Sequence, residues 1–152
     1  DLHKFSKEKI IPEVVKGIVA FLNTDGGDLI VGIQEKPFKK IYVVETDLEF
    51  LGIARWDDWH NKTSEMIKTQ IGSRHMRLVN IKPIEYINEE GSSITLAWIQ
   101  VSKGTSSMGL AFLKDGTSFE RDNATSPEIN AKRMYELMND RYNQDGKNTI
   151  LK

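Results

Sequence analysis

Phe21-Leu22-Asn23-Thr24-Asp25-Gly26-Gly27-Asp28-Leu29-Ile30-Val31-Gly32-Ile33 reads as a helix end, a tight glycine turn and a strand. Upstream of it, Val14, Val15, Ile18, Val19 and Leu22 recur at helical spacing, so the segment from about Pro12 has one apolar face. Pro12 suits a first helical turn, where no backbone donor is needed. Asn23 to Gly27 end the helix, because Asn and Gly tolerate the left-handed backbone that closes the last carbonyls. Leu29 to Ile33 is a short apolar run rich in β-branched residues, which predicts a strand covered on both faces.

Further along, Lys36-Pro37-Phe38-Lys39-Lys40 predicts a turn and Ile41 to Val44 a short strand, followed by an acidic connection carrying Glu45, Asp47 and Glu49. A second helix is expected from Trp56-Asp57-Asp58 to about Ile71, with acids favourable at its start and Gly72 as its C-cap. Ile81 to Ile87 and Ile94 to Val101 read as strands. Ile94 to Val101 is apolar on both faces and should be central. Asp115-Gly116 between Leu110–Leu113 and Thr117–Glu120 signals a hairpin. Thr125 and Glu128 form a capping-box pattern ahead of a last helix, whose stripe is Ala131, Met134, Tyr135, Met138 and Tyr142. This order predicts an α+β domain: a mixed, largely antiparallel sheet with about three helices packed on it. The domain is expected to span residues 1–142, with 143–152 a disordered polar tail.

The chain has 152 residues, 39% hydrophobic and 28% charged, which fits one globular domain. No apolar run approaches membrane-spanning length and no signal peptide is evident, so a cytoplasmic location is expected. The absence of cysteine excludes disulfides and thiolate metal sites. A formal net charge of −1 argues against wholesale coating of phosphate backbones without deciding the matter, and any basic surface must be local. The first residue is Asp1, as expected for a domain excised from a larger protein.

The string AFLNTDGGDLIVGI (residues 20–33) resembles the signature of Schlafen-like, Alba-type DNA-binding domains. Phe50-Leu51-Gly52-Ile53, Ile99 to Gly104 and Phe119 to Thr125 resemble further segments of that family in the same order. The resemblance reaches about Arg141 and implies the α+β fold and a nucleic-acid partner, DNA or RNA. Such a module would sit beside further domains of a regulatory or defence protein and could form a homo-oligomer.

Three sets of residues are candidates for chemistry. First, the resemblance to the family's ribonuclease branch places Asp1 and Glu35 as carboxylate ligands of magnesium or manganese, with Gln34 replacing one acid. That would make the domain a metal-dependent endoribonuclease; the alternative is a chain end and a solvated strand end. Second, the amides of Asn23, Thr24, Asp25, Gly26 and Gly27 could cradle a phosphate, or the turn could be only a tight connection. Third, Lys36, Lys39 and Lys40, then Arg74, His75 and Arg77, with Lys82 and Lys103, form basic clusters that either bind phosphates or are solvated surface. Arg121 occupies the arginine position of the family's Tyr-x-Arg segment. Phe38 and Trp56 could stack on unpaired bases. His3, His60 and His75 lack zinc-ligand spacing, and the serines lack a nucleophile-elbow context. An oligomerisation or docking module without catalysis is a third functional reading.

Overall fold

In the computed structural model, residues 7–31, 33–34, 40–41, 56–87, 91, 93–123 and 125–150 are described. Helix α1 (Lys7–Asn23) leads into strand β1 (Gly27–Val31), and β2 (Ile33–Gln34) pairs with β3 (Lys40–Ile41). Helix α2 (Trp56–Ile71), the short α3 (Ser73–Met76), the long strands β4 (Val79–Ile87) and β5 (Ser93–Val101), and helix α4 (Ala131–Ile150) follow. The main sheet has the order β1-β5-β4, so β5 is central as its two apolar faces predict. Every described pairing is antiparallel. The fold is α+β, as expected.

One face of this sheet and the apolar stripe of α1 make the core. Val15, Ile18, Val19 and Leu22 of α1 are buried against Ala97, Ile99 and Val101 of β5, Ile81 of β4, and Ile67 and Ile71 of α2. Burying side chains of this size stabilises by about 1.5–3 kcal/mol each, which explains why the stripe determines where α1 lies. Pro83 lies within β4, which among the described residues pairs with β5 alone, and a proline without an N–H is tolerated on such an edge.

Several expectations are corrected. α1 begins at Lys7, so Pro12 lies in its sixth position instead of its first turn. The apolar spacing continues upstream through Ile11 in the sequence, so the helical pattern starts before Pro12. Among the described residues β1 is an edge strand; its exposure alternates and Ile30 is 46% exposed, so it is not covered on both faces. An apolar run does not distinguish a central strand from an edge one.

Asp115-Gly116 does form a turn, with Gly116 N–H donating to Leu113 O at 2.9 Å and Leu113 N–H to Thr117 O at 2.8 Å. Its flanks are not strands, because the backbone of Ala111 is held by side chains instead of a ladder. The capping box does not form. Thr125 and Glu128 pair with Asp122 and Phe119, and Asn130 caps α4 by accepting Arg133 N–H at 2.8 Å.

The expected stripe of α4 is also not its buried side, since Tyr135 and Met138 are exposed while Arg133, Leu137 and Arg141 are half-buried. α4 continues to Ile150, through the stretch read as a polar tail. Polar residues cost less than about 0.7 kcal/mol each in a helix, so composition alone does not end one.

Candidate nucleic-acid interface

The signature turn is a lock. Asn23 is buried, and its Nδ2 donates to Ala111 O (3.1 Å), Ser118 Oγ (2.8 Å) and Phe119 O (3.0 Å). Its Oδ1 accepts Ala111 N–H at 2.7 Å. Ser118, also buried, donates to Ala111 O at 2.6 Å. A single amide thus fixes the loop 110–119 onto the end of α1.

The turn amides of Thr24 and Gly26 both donate to Phe21 O, at 3.2 and 2.9 Å. These two donors close the helix end. Gly26 has φ +74°, and a Cβ there would lie 2.6 Å from Val101 O, so backbone packing requires glycine. Asp25 is exposed and meets Lys103 at 3.5 Å, an open surface pair of small energetic weight.

Arg121 is positioned by the same lock. Its backbone N–H donates to Thr24 Oγ1 at 2.8 Å, while Thr24 Oγ1 donates to Ala20 O at 2.8 Å. Two backbone bonds between Asp122 and Thr125 close the next turn, where Asn123 takes φ +46°. The Arg121 guanidinium lies 5.4 Å from the Phe21 ring centroid and donates to Ser126 Oγ at 3.4 Å. Lys16 sits similarly over Phe119, at 5.3 Å. This end of α1 therefore presents two cations braced on aromatic rings.

A second basic group follows α2. Gly72, at φ +86°, ends α2 with its N–H on Lys68 O at 2.8 Å and turns the chain into α3. Arg74 is exposed and donates to Ser107 O at 3.1 Å. Arg77, also exposed, lines an open cleft of about 470 Å³ with Gly27, Asp28, Asn80, Gln100 and Ser102.

The cleft lies on the outer face of the sheet, where strand register aligns Asp28, Gln100 and Asn80 in one row. The next row on that face is Ile30, Trp98 and Lys82. Trp98 Nε1–H donates to Asp28 Oδ1 at 2.9 Å, and Lys82 Nζ lies 5.8 Å from the Trp98 ring centroid.

Of the basic candidates among the described residues, Arg77 lines this cleft, and Arg74, Lys103 and Arg121 do not. Asp1, Glu35, Lys36, Lys39 and Phe38 lie outside the described residues. Lys40 pairs through its backbone with Gln34 in the β2–β3 ladder. Among the described residues, no group of three or more His, Asp or Glu side chains could hold a metal ion.

His75 is buried, and its Nε2 has no hydrogen-bond partner among the described residues. Burial holds its pKa below the ordinary 6.5; a hydrogen bond with the Gly109 backbone opposes this, and the charges of Arg74 and Arg141 add to it. Arg141 of α4 donates to Gly109 O at 2.9 Å and Leu22 O at 3.4 Å. Burial lowers its pKa, yet arginine stays charged at any ordinary pH.

Sequence reasoning passed over Trp98, Asp28, Asn80 and Gln100. Each looked like an ordinary strand residue, and only cross-strand register brings them together. The alternation Asn80-x-Lys82 and Trp98-x-Gln100 was a signal that each strand shows one polar face.

An α+β domain with a helix–glycine turn–strand lock and braced arginines defines the class. Residues 1–130 match the family model described as Schlafen, AlbA_2, and the chain belongs to that family. No curated protein matches the chain. Among the described residues, no helix is long and apolar enough to cross a membrane.

Proposed function

We propose that the chain is a nucleic-acid-binding module that grips phosphates through a few local arginines, principally Arg74, Arg77 and Arg121. Lys103 and the lysines at 36, 39 and 40 are further contacts in this reading. Family membership supports a nucleic-acid-related domain.

The observation that carries the reading is the state of these arginines. The chain has 22 acidic and 21 basic side chains, yet none of the three makes an ion pair with a described residue. Arg133 is the contrast, paired with Glu120 at 2.9 Å and Glu136 at 3.3 Å. Arg74 and Arg121 are held by a carbonyl, a hydroxyl and an aromatic ring, which orient the guanidinium without neutralising it. An oriented and uncompensated guanidinium matches phosphate geometry. The arginines lie off any groove-reading helix pattern, so binding is expected to depend on the backbone more than on duplex sequence.

Fluorescence anisotropy of labelled RNA and DNA at low salt tests this. Replacing Arg74, Arg77 and Arg121 together by alanine should weaken binding at least about tenfold, while Lys114→Ala should leave it unchanged. Equal affinity of the triple variant and the parent would overturn the assignment of these residues.

A further inference from the structure

The outer-face cleft has a chemistry that phosphate binding alone does not explain. Asp28 is an anion in a site that a phosphate chain would avoid, and it lines the same cleft as Arg77 without forming an ion pair with it. Its carboxylate is oriented by the Trp98 indole N–H at 2.9 Å, which leaves the other oxygen open as an acceptor. Asn80 and Gln100 stand in the same cross-strand row and offer both amide donors and acceptors. Trp98 is half-buried in the adjoining row, beside the exposed Lys82 ammonium.

The cation, carboxylate and amides of the cleft, with the Trp98 ring in the adjoining row outside its lining, match a nucleotide with its base free. A carboxylate accepts best from two adjacent N–H donors. Guanine alone among the four bases presents such a pair on its Watson–Crick edge, at N1 and N2. That edge is closed in a duplex and open in a single strand. Resting on the nucleic-acid reading above, we propose that this cleft takes one unpaired guanine nucleotide of a single strand. Asp28 accepts from N1–H and N2–H, and an amide of Asn80 or Gln100 donates to O6. Trp98 supplies the stacking surface, and Arg77 and Lys82 take the flanking phosphates.

The test varies the ligand first, so no protein variant has to fold. Anisotropy compares a short single-stranded oligonucleotide containing one guanine with the same strand carrying inosine, adenine or cytosine there, and with its duplex. Inosine lacks only the N2 amino group. The guanine strand should bind about tenfold tighter than the others and than the duplex.

Asp28→Asn, at an exposed position, should bring guanine and inosine to near-equal affinity by weakening guanine binding more than inosine binding. Trp98→Leu should weaken every single strand about tenfold. Equal binding of all strands and the duplex, with Asp28→Asn silent, would overturn the guanine site while phosphate binding stands. No binding of any strand would overturn both readings.

Discussion

Asn23 illustrates how one buried amide can organise two distant segments. It satisfies both backbone groups of Ala111 and bonds to Ser118 and the Phe119 carbonyl. Asn23→Ala would leave those groups buried and under-bonded, at about 1–3 kcal/mol for each orphan. Urea denaturation should show a loss of about 3 kcal/mol, while Asn23→Asp, which cannot donate, should be little better. Gly26→Ala should cost at least about 2 kcal/mol, because a left-handed backbone and the Val101 carbonyl both resist a Cβ. The four residues Asn23 to Gly26 were legible as a helix stop from composition. That Asn23 reaches across to Ala111 was not, because nothing local encodes a contact between segments so far apart in the chain.

At the level of elements, short-range signals succeeded where the deciding interaction was also short-range. The stripe of α1 and the Trp56–Ile71 helix with its Gly72 stop were readable because helical period and capping chemistry are written within a few residues. The start of α4 was misread because Thr125 and Glu128 are engaged by Asp122 and Phe119. Asn130→Ala should therefore cost about 1 kcal/mol of stability in urea melts, and Thr125→Ala much less.

The charge of Arg141 in α4 acts on His75 of α3, whose burial gives a pH dependence. Its pKa is lowered in the folded state, so the unfolded chain binds the proton more readily. The stabilising contribution is whole above the ordinary value of 6.5 and is lost as pH falls from there towards the folded pKa. Urea midpoints should thus fall on acidification through that window, and His75→Gln should flatten the fall. A variant as pH-sensitive as the parent would show that another group is responsible.

On the scale of the whole molecule, the near-zero net charge sets what kind of binding is available. Long-range steering is weak, so affinity has to come from local cations, and it has to depend steeply on salt. The sheet carries its apolar face inward and its Asp28–Gln100–Asn80 row outward, while Arg121 sits beyond the cleft at the end of α1. The basic residues were legible one by one in the sequence. The polar row that lies beside Arg77 in the cleft was not, because it depends on strand register, and a one-residue slip would invert the faces.

The most direct measurement is the affinity for a labelled single-stranded RNA across 50–200 mM salt, for the parent and for the triple variant Arg74→Ala, Arg77→Ala, Arg121→Ala. With about three to four phosphates engaged, the logarithm of affinity should fall with the logarithm of salt at a slope of about −2 to −3. The triple variant should make that slope shallower by about 2. A parent slope near zero, or one that the triple variant leaves unchanged, would contradict the account.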